Sequence, residues 1–481
     1  MSGFEELDAG AELLVELPLA LFVFFACHGR ILDCITKVVV PHKTYGVCYT
    51  ARDRLEAPRT VLEGSPMQHM TLDTGNTGFM LLCCSLVMLM TPGLAFFYGG
   101  LVGRKNVLAI MIQSFVSMGW TTVLWWVCGF SMCFSGTLKS GTDLGGVIGN
   151  FDWAFLRGIT LDMPAPLNPT IPMIVFCAYQ MMFAIITPAL ITGAFANRVT
   201  FKAYMLFLTA WLLCVYFPFV HMVWGGGWLA QWGVLDFAGG IVVHNIAGIA
   251  ALASVLFVGK RRVEDHEPHS IPLVALGTGL LWFGWYGFNA GSEFRVDSVT
   301  AVAFLNTDLA ASFAAIAWLG IDWFTTKKPR FLGLLTGAVA GLATITPAAG
   351  YVSPATACLI GLIAGAVCFY AVALKNRLGW DDALDVWGVH GVGGFLGIVL
   401  CGIFATTVFN PAGVDGLLRG NTHFFLVQLA AVAISSIWAF GFTLGMLWLI
   451  DKITPVKVEA GQEAEGLDSA LHGEIAYPAQ I

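Results

Sequence analysis

The segment HMVWGGGWLAQWGVLDFAGGIVVHNIAG, residues 221–248, places one ionisable side chain, His244, inside a run apolar enough to cross a bilayer. A second segment, DVWGVHGVGG at 385–394, does the same with His390. Each histidine has an aspartate upstream, Asp236 in the first case and Asp385 in the second. In a soluble helix a lone histidine is an ordinary core residue. Within a membrane, ionisable groups are costly and line a pathway or pair with one another. The expectation is that the two histidines meet, each brought to a narrow pore by one of two related halves of the chain.

The rest of the chain fits a lipid setting. Of 481 residues, 57% are apolar and only 11% charged, against about a quarter charged in soluble domains. This is the composition of an all-α polytopic membrane protein. A net charge of −7 gives no basis for a nucleic-acid partner. The twelve cysteines are scattered through apolar segments with no CxxC pair and no metal-ligand spacing. They read as small core residues, and no metal site or cofactor is expected.

About 20 apolar residues are needed to span a bilayer as a helix. Eleven segments from Thr77 onward meet that need: 77–98, 106–134, 170–194, 201–219, 238–259, 271–291, 300–324, 331–348, 354–374, 387–407 and 423–450. Alternate connections carry fourteen Lys and Arg on one side, from Arg104/Lys105 to Lys452/Lys457, and only Lys139, Arg157, Arg295 and Arg419 on the other. The positive-inside rule then puts the start of the first helix outside and the C-terminus inside.

Three regions follow: an atypical stretch 1–69, a membrane domain 70–450 and a polar tail 451–481. The first is too broken by Glu16 and Pro18 to span and lacks the basic flank of a signal peptide. It reads either as an extension or as an upstream stretch that is not translated, with Met67 or Met70 as the start. Its six basic residues would lie outside, against the same rule, which favours the second reading.

Eleven helices suit five plus five plus one, and an odd repeat length forces the two halves into opposite orientation. Gly93-Leu-Ala-Phe-Phe-Tyr-Gly-Gly in the first helix and Gly279-Leu-Leu-Trp-Phe-Gly-Trp-Tyr-Gly in the sixth give modest support. On an ideal helix Asp236 lies about 12 Å from His244, so it forms a separate station, able to cap a helix or influence a cation. Asp385 is about 7.5 Å from His390, on its inner side, consistent with the tenth helix running the other way. Phe288 and Ser292 share a helix face, a ring with a hydroxyl above it that suits a small cation. Trp224 near the surface and Phe183 in mid-helix are further aromatic candidates. Gly333, Gly337 and Gly341, and then Gly361 and Gly365, signal close helix packing.

These residues carry a resemblance. TPGLAFFYGGLVGRKN (91–106), DFAGGIVVHNIAG (236–248), WYGFNAGS (285–292) and DVWGVHGVGG (385–394) make the chain similar, from about Asp73 to Tyr477, to the Amt/Mep/Rh ammonium transporters, on the Amt/Mep side. The resemblance implies a homotrimer in the cell (inner) membrane, with a pore in each subunit and no enzymatic reaction. It implies that Trp224, Phe183 and Ser292 recruit ammonium, or methylammonium as analogue, with Asp236 below them. Phe183 and Phe288 would be the gate, and His244 and His390 the twin-histidine pair. The tail, VEAGQEAEGLDSALHGEIAY (458–477), would pack against the neighbouring subunit, with a P-II signalling protein as its regulatory partner.

The expected mechanism is binding of NH4+ outside, loss of its proton, and passage of NH3 past the rings, the histidines relaying the proton. Two other classes share these features: an ammonium sensor with little flux, and a haem protein with His244 and His390 as axial ligands.

Overall fold

The computed structural model describes residues 71–136, 142–263 and 267–477. The stretch 1–69 lies outside them. Among the described residues the regular elements are all helical, with three isolated bridges in place of a sheet. Among the described residues ten helices are long and apolar enough to cross a membrane, making this a multi-pass membrane protein. They are α1 (Thr74–Leu101), α2 (Val107–Phe134), α3 (Met173–Ile191), α4 (Phe201–Gln231), α5 (Gly240–Val258), α6 (Ile271–Glu293), α7 (Ser298–Thr326), α9 (Pro354–Leu378), α10 (Trp387–Phe404) and α11 (Thr422–Ile453). Between α7 and α9 lies a shorter apolar helix, α8 (Phe331–Ile345). The sequence reading carried it to 348; Pro347, which has no N–H to give, follows close behind its observed end.

Glycines set the packing. Along α1 and α6, Gly100 lies against Ser270 and Val274, Gly93 against Leu280 and Leu281, and Leu86 against Gly287. Rising numbers in one helix meet falling numbers in the other, so the two segments expected to be related run antiparallel. On α7, Ala310 and Ala314 receive both glycine series: Gly337 and Gly341 from α8, Gly361 and Gly365 from α9. A Cβ at Gly337 would stand 2.6 Å from that of Trp318, and one at Gly361 would stand 2.5 Å from the Ala310 carbonyl oxygen. Only glycine lets these backbones approach so closely.

The tail forms two short helices, α12 (Ala460–Glu465) and α13 (Leu467–His472), seated on loops of its own chain. Its acidic residues work as caps. Asp468 Oδ1 accepts from Ala109 N at 2.8 Å at the start of α2, and Asn106 Oδ1 accepts from Leu467 N at 2.9 Å. Glu463 Oε1 accepts from Arg262 N and Val263 N beyond α5.

Candidate functional site

The site begins at two helix starts. An α-helix leaves its first four N–H groups without intrahelical partners. At α5 a single carboxylate takes four of them: Asp236 Oδ1 accepts from Gly239 N (2.9 Å) and Gly240 N (2.6 Å), and Oδ2 from Ile241 N (2.8 Å) and Val242 N (3.2 Å). Gly239, at φ +123°, makes the turn that permits this. The helix then opens with a π turn, Gly240–Asn245, which carries His244. Asp236 is therefore a saturated cap, the first of the two roles the sequence left open to it.

At α10 the corresponding residue is Asp382, whose oxygens accept from Val386 N (3.1 Å) and Trp387 N (2.7 Å). A π turn, Trp387–Gly391, follows and carries His390. Asp385, the aspartate noted upstream of His390 in the sequence, has a different partner. Asp385 sits at φ +58° with Oδ1 2.5 Å from Lys375 Nζ, which also donates to the Asp382 carbonyl at 2.8 Å. The signal that identifies Asp382 is spacing, since each capping aspartate stands eight residues before its histidine.

A second spacing brings the histidines together. Gly248 and Gly394 each follow a histidine by four residues, and each lies against the opposite segment. A Cβ at Gly394 would be 2.8 Å from His244 Cβ, and one at Gly248 would be 2.8 Å from the His390 carbonyl carbon. α5 and α10 thus cross backbone to backbone, and the two imidazoles meet with Nδ1 to Nδ1 at 3.3 Å, both buried. Aspartate, histidine and glycine therefore recur in both halves at the same offsets.

The hydrogen bonds around the pair assign its protons. Thr346 Oγ1 donates to the Leu342 carbonyl (2.7 Å) and accepts from Trp285 Nε1 (2.9 Å), which leaves it an acceptor for His244 Nε2 at 3.3 Å. His244 then holds its proton on Nε2 and presents a bare Nδ1 to the Nδ1–H of His390. Neither Thr346 nor Trp285 was singled out from the sequence.

Above the pair the rings form a column. Trp224 meets Phe183 edge-on at 5.8 Å, Phe183 and Phe288 have centroids 4.3 Å apart, Phe288 lies 5.9 Å from His244, and His244 5.3 Å from His390. Trp224 is anchored by Nε1 to the Asp236 carbonyl at 2.8 Å. Ser292 Oγ donates to the Phe288 carbonyl at 2.9 Å, so it turns lone pairs outward, and Tyr179 Oη lies 3.3 Å away.

Two cavities flank the column. One of about 180 Å³ is lined by Phe183, Trp224, Asp236, Ser292 and polar neighbours. The other, of only about 10 Å³, is walled by Leu94, Leu190, Val243, Phe288 and both histidines. That is the lower bound for one water-sized guest. It has no room for a macrocycle, and the facing imidazole nitrogens leave none for an iron between them, so the residues do not fit a haem.

Comparisons with known proteins agree in direction. A family model described as Ammonium Transporter Family matches residues 78–477. An ammonium transporter of Bacillus subtilis is 44% identical over 408 residues, 84% of this chain and 99% of the relative. Ammonium transporter Amt1 of Archaeoglobus fulgidus is 42% identical, over 84% of this chain and all of that protein. Among solved structures, Saccharomyces cerevisiae Mep2 aligns with a TM-score of 0.76 at 34% identity, over 81% of this chain and 89% of that one. A structure titled Sensor Amt Protein aligns with a TM-score of 0.75 at 29% identity, over 82% and 98%.

Proposed function

The chain belongs to the ammonium transporter family, and on that premise we propose that it takes ammonium into the cell across the cell (inner) membrane. In this reading the functional unit is a homotrimer of eleven-helix subunits, with α8 as the eleventh span, the start of α1 outside and the tail inside. The tail, residues 451–481, is then the regulatory segment of the 70–450 membrane domain, a surface for a P-II signalling protein.

NH4+ is recruited in the larger cavity, where Trp224 and Phe183 offer ring faces and Ser292 an acceptor. A cation over such a ring gains roughly 0.5 to 2 kcal/mol. Asp236 acts by holding the start of α5 and, through its carbonyl, Trp224. Past the Phe183–Phe288 gate the small cavity is too apolar for a hydrated ion, so NH3 passes and the proton is left behind. His390 and His244, joined through Nδ1, accept and relay that proton. The observation that carries the reading is the 3.3 Å contact of two buried imidazoles in a cavity of about 10 Å³ beneath a close, tilted aromatic pair.

Charge-sensitive recording from proteoliposomes tests it. An ammonium pulse gives a transient current in the wild type that His244→Ala and His390→Ala reduce at least tenfold. A wild type that takes up methylammonium without current would rule out the relay. A second reading, an ammonium sensor with little flux, draws on the similarity to the structure titled Sensor Amt Protein. Labelled methylammonium uptake in cells lacking other transporters separates the two.

A further inference from the structure

The larger cavity contains a carboxylate for which the ring column has no use. Glu293 follows Ser292 in the closing 3-10 turn of α6, lines the same cavity as Trp224 and Ser292, and is only 9% exposed. Its Oε1 accepts from Arg295 Nη2 at 2.6 Å, and among the described residues its Oε2 makes no hydrogen bond. Arg295 is also held by Asp297, Nε to Oδ2 at 2.7 Å, and is 46% exposed. Two carboxylates around one guanidinium leave the group with a net negative charge, with the cation on its solvent side.

The other carboxylate in the cavity is already committed. Both oxygens of Asp236 are filled by backbone N–H groups, so its charge is spent on the helix start. A second, independent feature points to a guest with N–H donors. Gln180, 3% exposed, lines the same cavity, and its buried Oε1 has no hydrogen-bond partner. A buried amide oxygen without a partner carries a desolvation cost that a donor-bearing guest removes. With the lone pairs of Ser292 Oγ, the cavity offers three oxygens to a small cation whose N–H groups point in several directions.

We propose that Glu293 is a recruiting and specificity-determining residue of this cavity. It attracts small N–H-bearing cations and accepts a hydrogen bond from them through Oε2, beside Gln180 Oε1, while Arg295 sets how much of its charge the cavity feels. This rests on the ammonium-transport reading of the same cavity. Such attraction is long-ranged and screened by salt, falling off over about 10 Å at 0.1 M ionic strength. Glu293 therefore acts on the concentration needed to fill the site more than on the rate of passage.

The test is saturable uptake of labelled methylammonium by proteoliposomes at low ionic strength. Glu293→Gln keeps the size and an acceptor but removes the charge. It is expected to raise the half-saturating concentration about fivefold to tenfold, with a smaller change in maximal rate. That difference should narrow in 0.5 M salt without vanishing, because screening removes the long-range attraction and leaves the direct contact of the buried carboxylate. Arg295→Gln, on an exposed residue, removes the counter-charge and is expected to lower half-saturation by about twofold. An unchanged half-saturation in Glu293→Gln, or a rise in Arg295→Gln, overturns the proposal and leaves transport intact. Absence of saturable uptake by the wild-type protein overturns both readings.

Discussion

At Asp236 the carboxylate takes four backbone N–H groups and no cation, whereas at Asp382 it takes two and stands beside Lys375. Eight residues on, His244 enters a network with Thr346 and stacks on Trp285 and Phe288, while His390 has His244 as its ring partner. The two halves share a device: an aspartate to start the helix, a π turn to present the imidazole, a glycine to let the other half in. They differ in what surrounds it. Shared spacing fixes where the imidazoles meet, and the unshared neighbours make them chemically unequal.

The crossing itself is the first place to break this symmetry. A Cβ at Gly248 would fall on the backbone nitrogen of Gly391, which no rotamer change relieves. Gly248→Ala is expected to cut methylammonium uptake at least a hundredfold by pushing α5 and α10 apart. Gly279→Ala, on an exposed face of α6 with nothing within 4 Å, is the control and keeps wild-type uptake. Wild-type uptake by Gly248→Ala would mean that the backbone contact does not set the distance between the histidines.

A smaller effect separates the two caps. Each orphaned N–H costs about 1 kcal/mol net, so Asp236→Ala is expected to lose about 4 kcal/mol of stability and Asp382→Ala about 2. Thermal unfolding in detergent at pH 4, below the range in which the Asp382 contribution falls away, reads the order. Equal losses would mean that the N–H groups are satisfied by other partners in the variants.

Much of this was legible beforehand. Apolar run length located the membrane helices to within a few residues over most of their ends, because burial in lipid leaves no alternative to a helix. Gly337 and Gly361 were read as packing residues, and they are. His244 and His390 stood out by being ionisable in apolar surroundings. Asp382 did not, because the neighbouring Asp381 and Asp385 are equally acidic and only the eight-residue offset distinguishes them. Thr346 and Trp285 escaped for a different reason: a hydroxyl and an indole near a helix end are common, and their bond across two elements is a tertiary fact. Glu293 was invisible because a glutamate at a helix end reads as solvated, and only the cavity shows it facing inward.

The finest distinction between the halves is electrostatic. Burial pushes the Asp382 carboxyl up to about 6, the nearby Lys375 opposing and Asp385 assisting the rise. Its unfolded value is about 3.9, so the folded pKa is the higher one. The stability it contributes is therefore complete below about pH 4 and is lost as pH rises through 6. A shift of two units corresponds to about 3 kcal/mol at most, visible as a falling melting temperature between pH 4 and 7. Asp382→Asn, which keeps an acceptor for Val386 and Trp387, should flatten that fall. Asp385→Asn should displace it instead. Removing the Asp385 charge takes away one cause of the rise, so the step moves to lower pH. Asparagine tolerates the φ of +58° at this position, and Lys375 retains its bond to the Asp382 carbonyl. The change in stability at pH 7 should therefore stay below about 1 kcal/mol, the range of a single hydrogen bond. A larger loss would show that Lys375 depends on Asp385 for its counter-charge and that the second cap, unlike the first, is a three-residue unit.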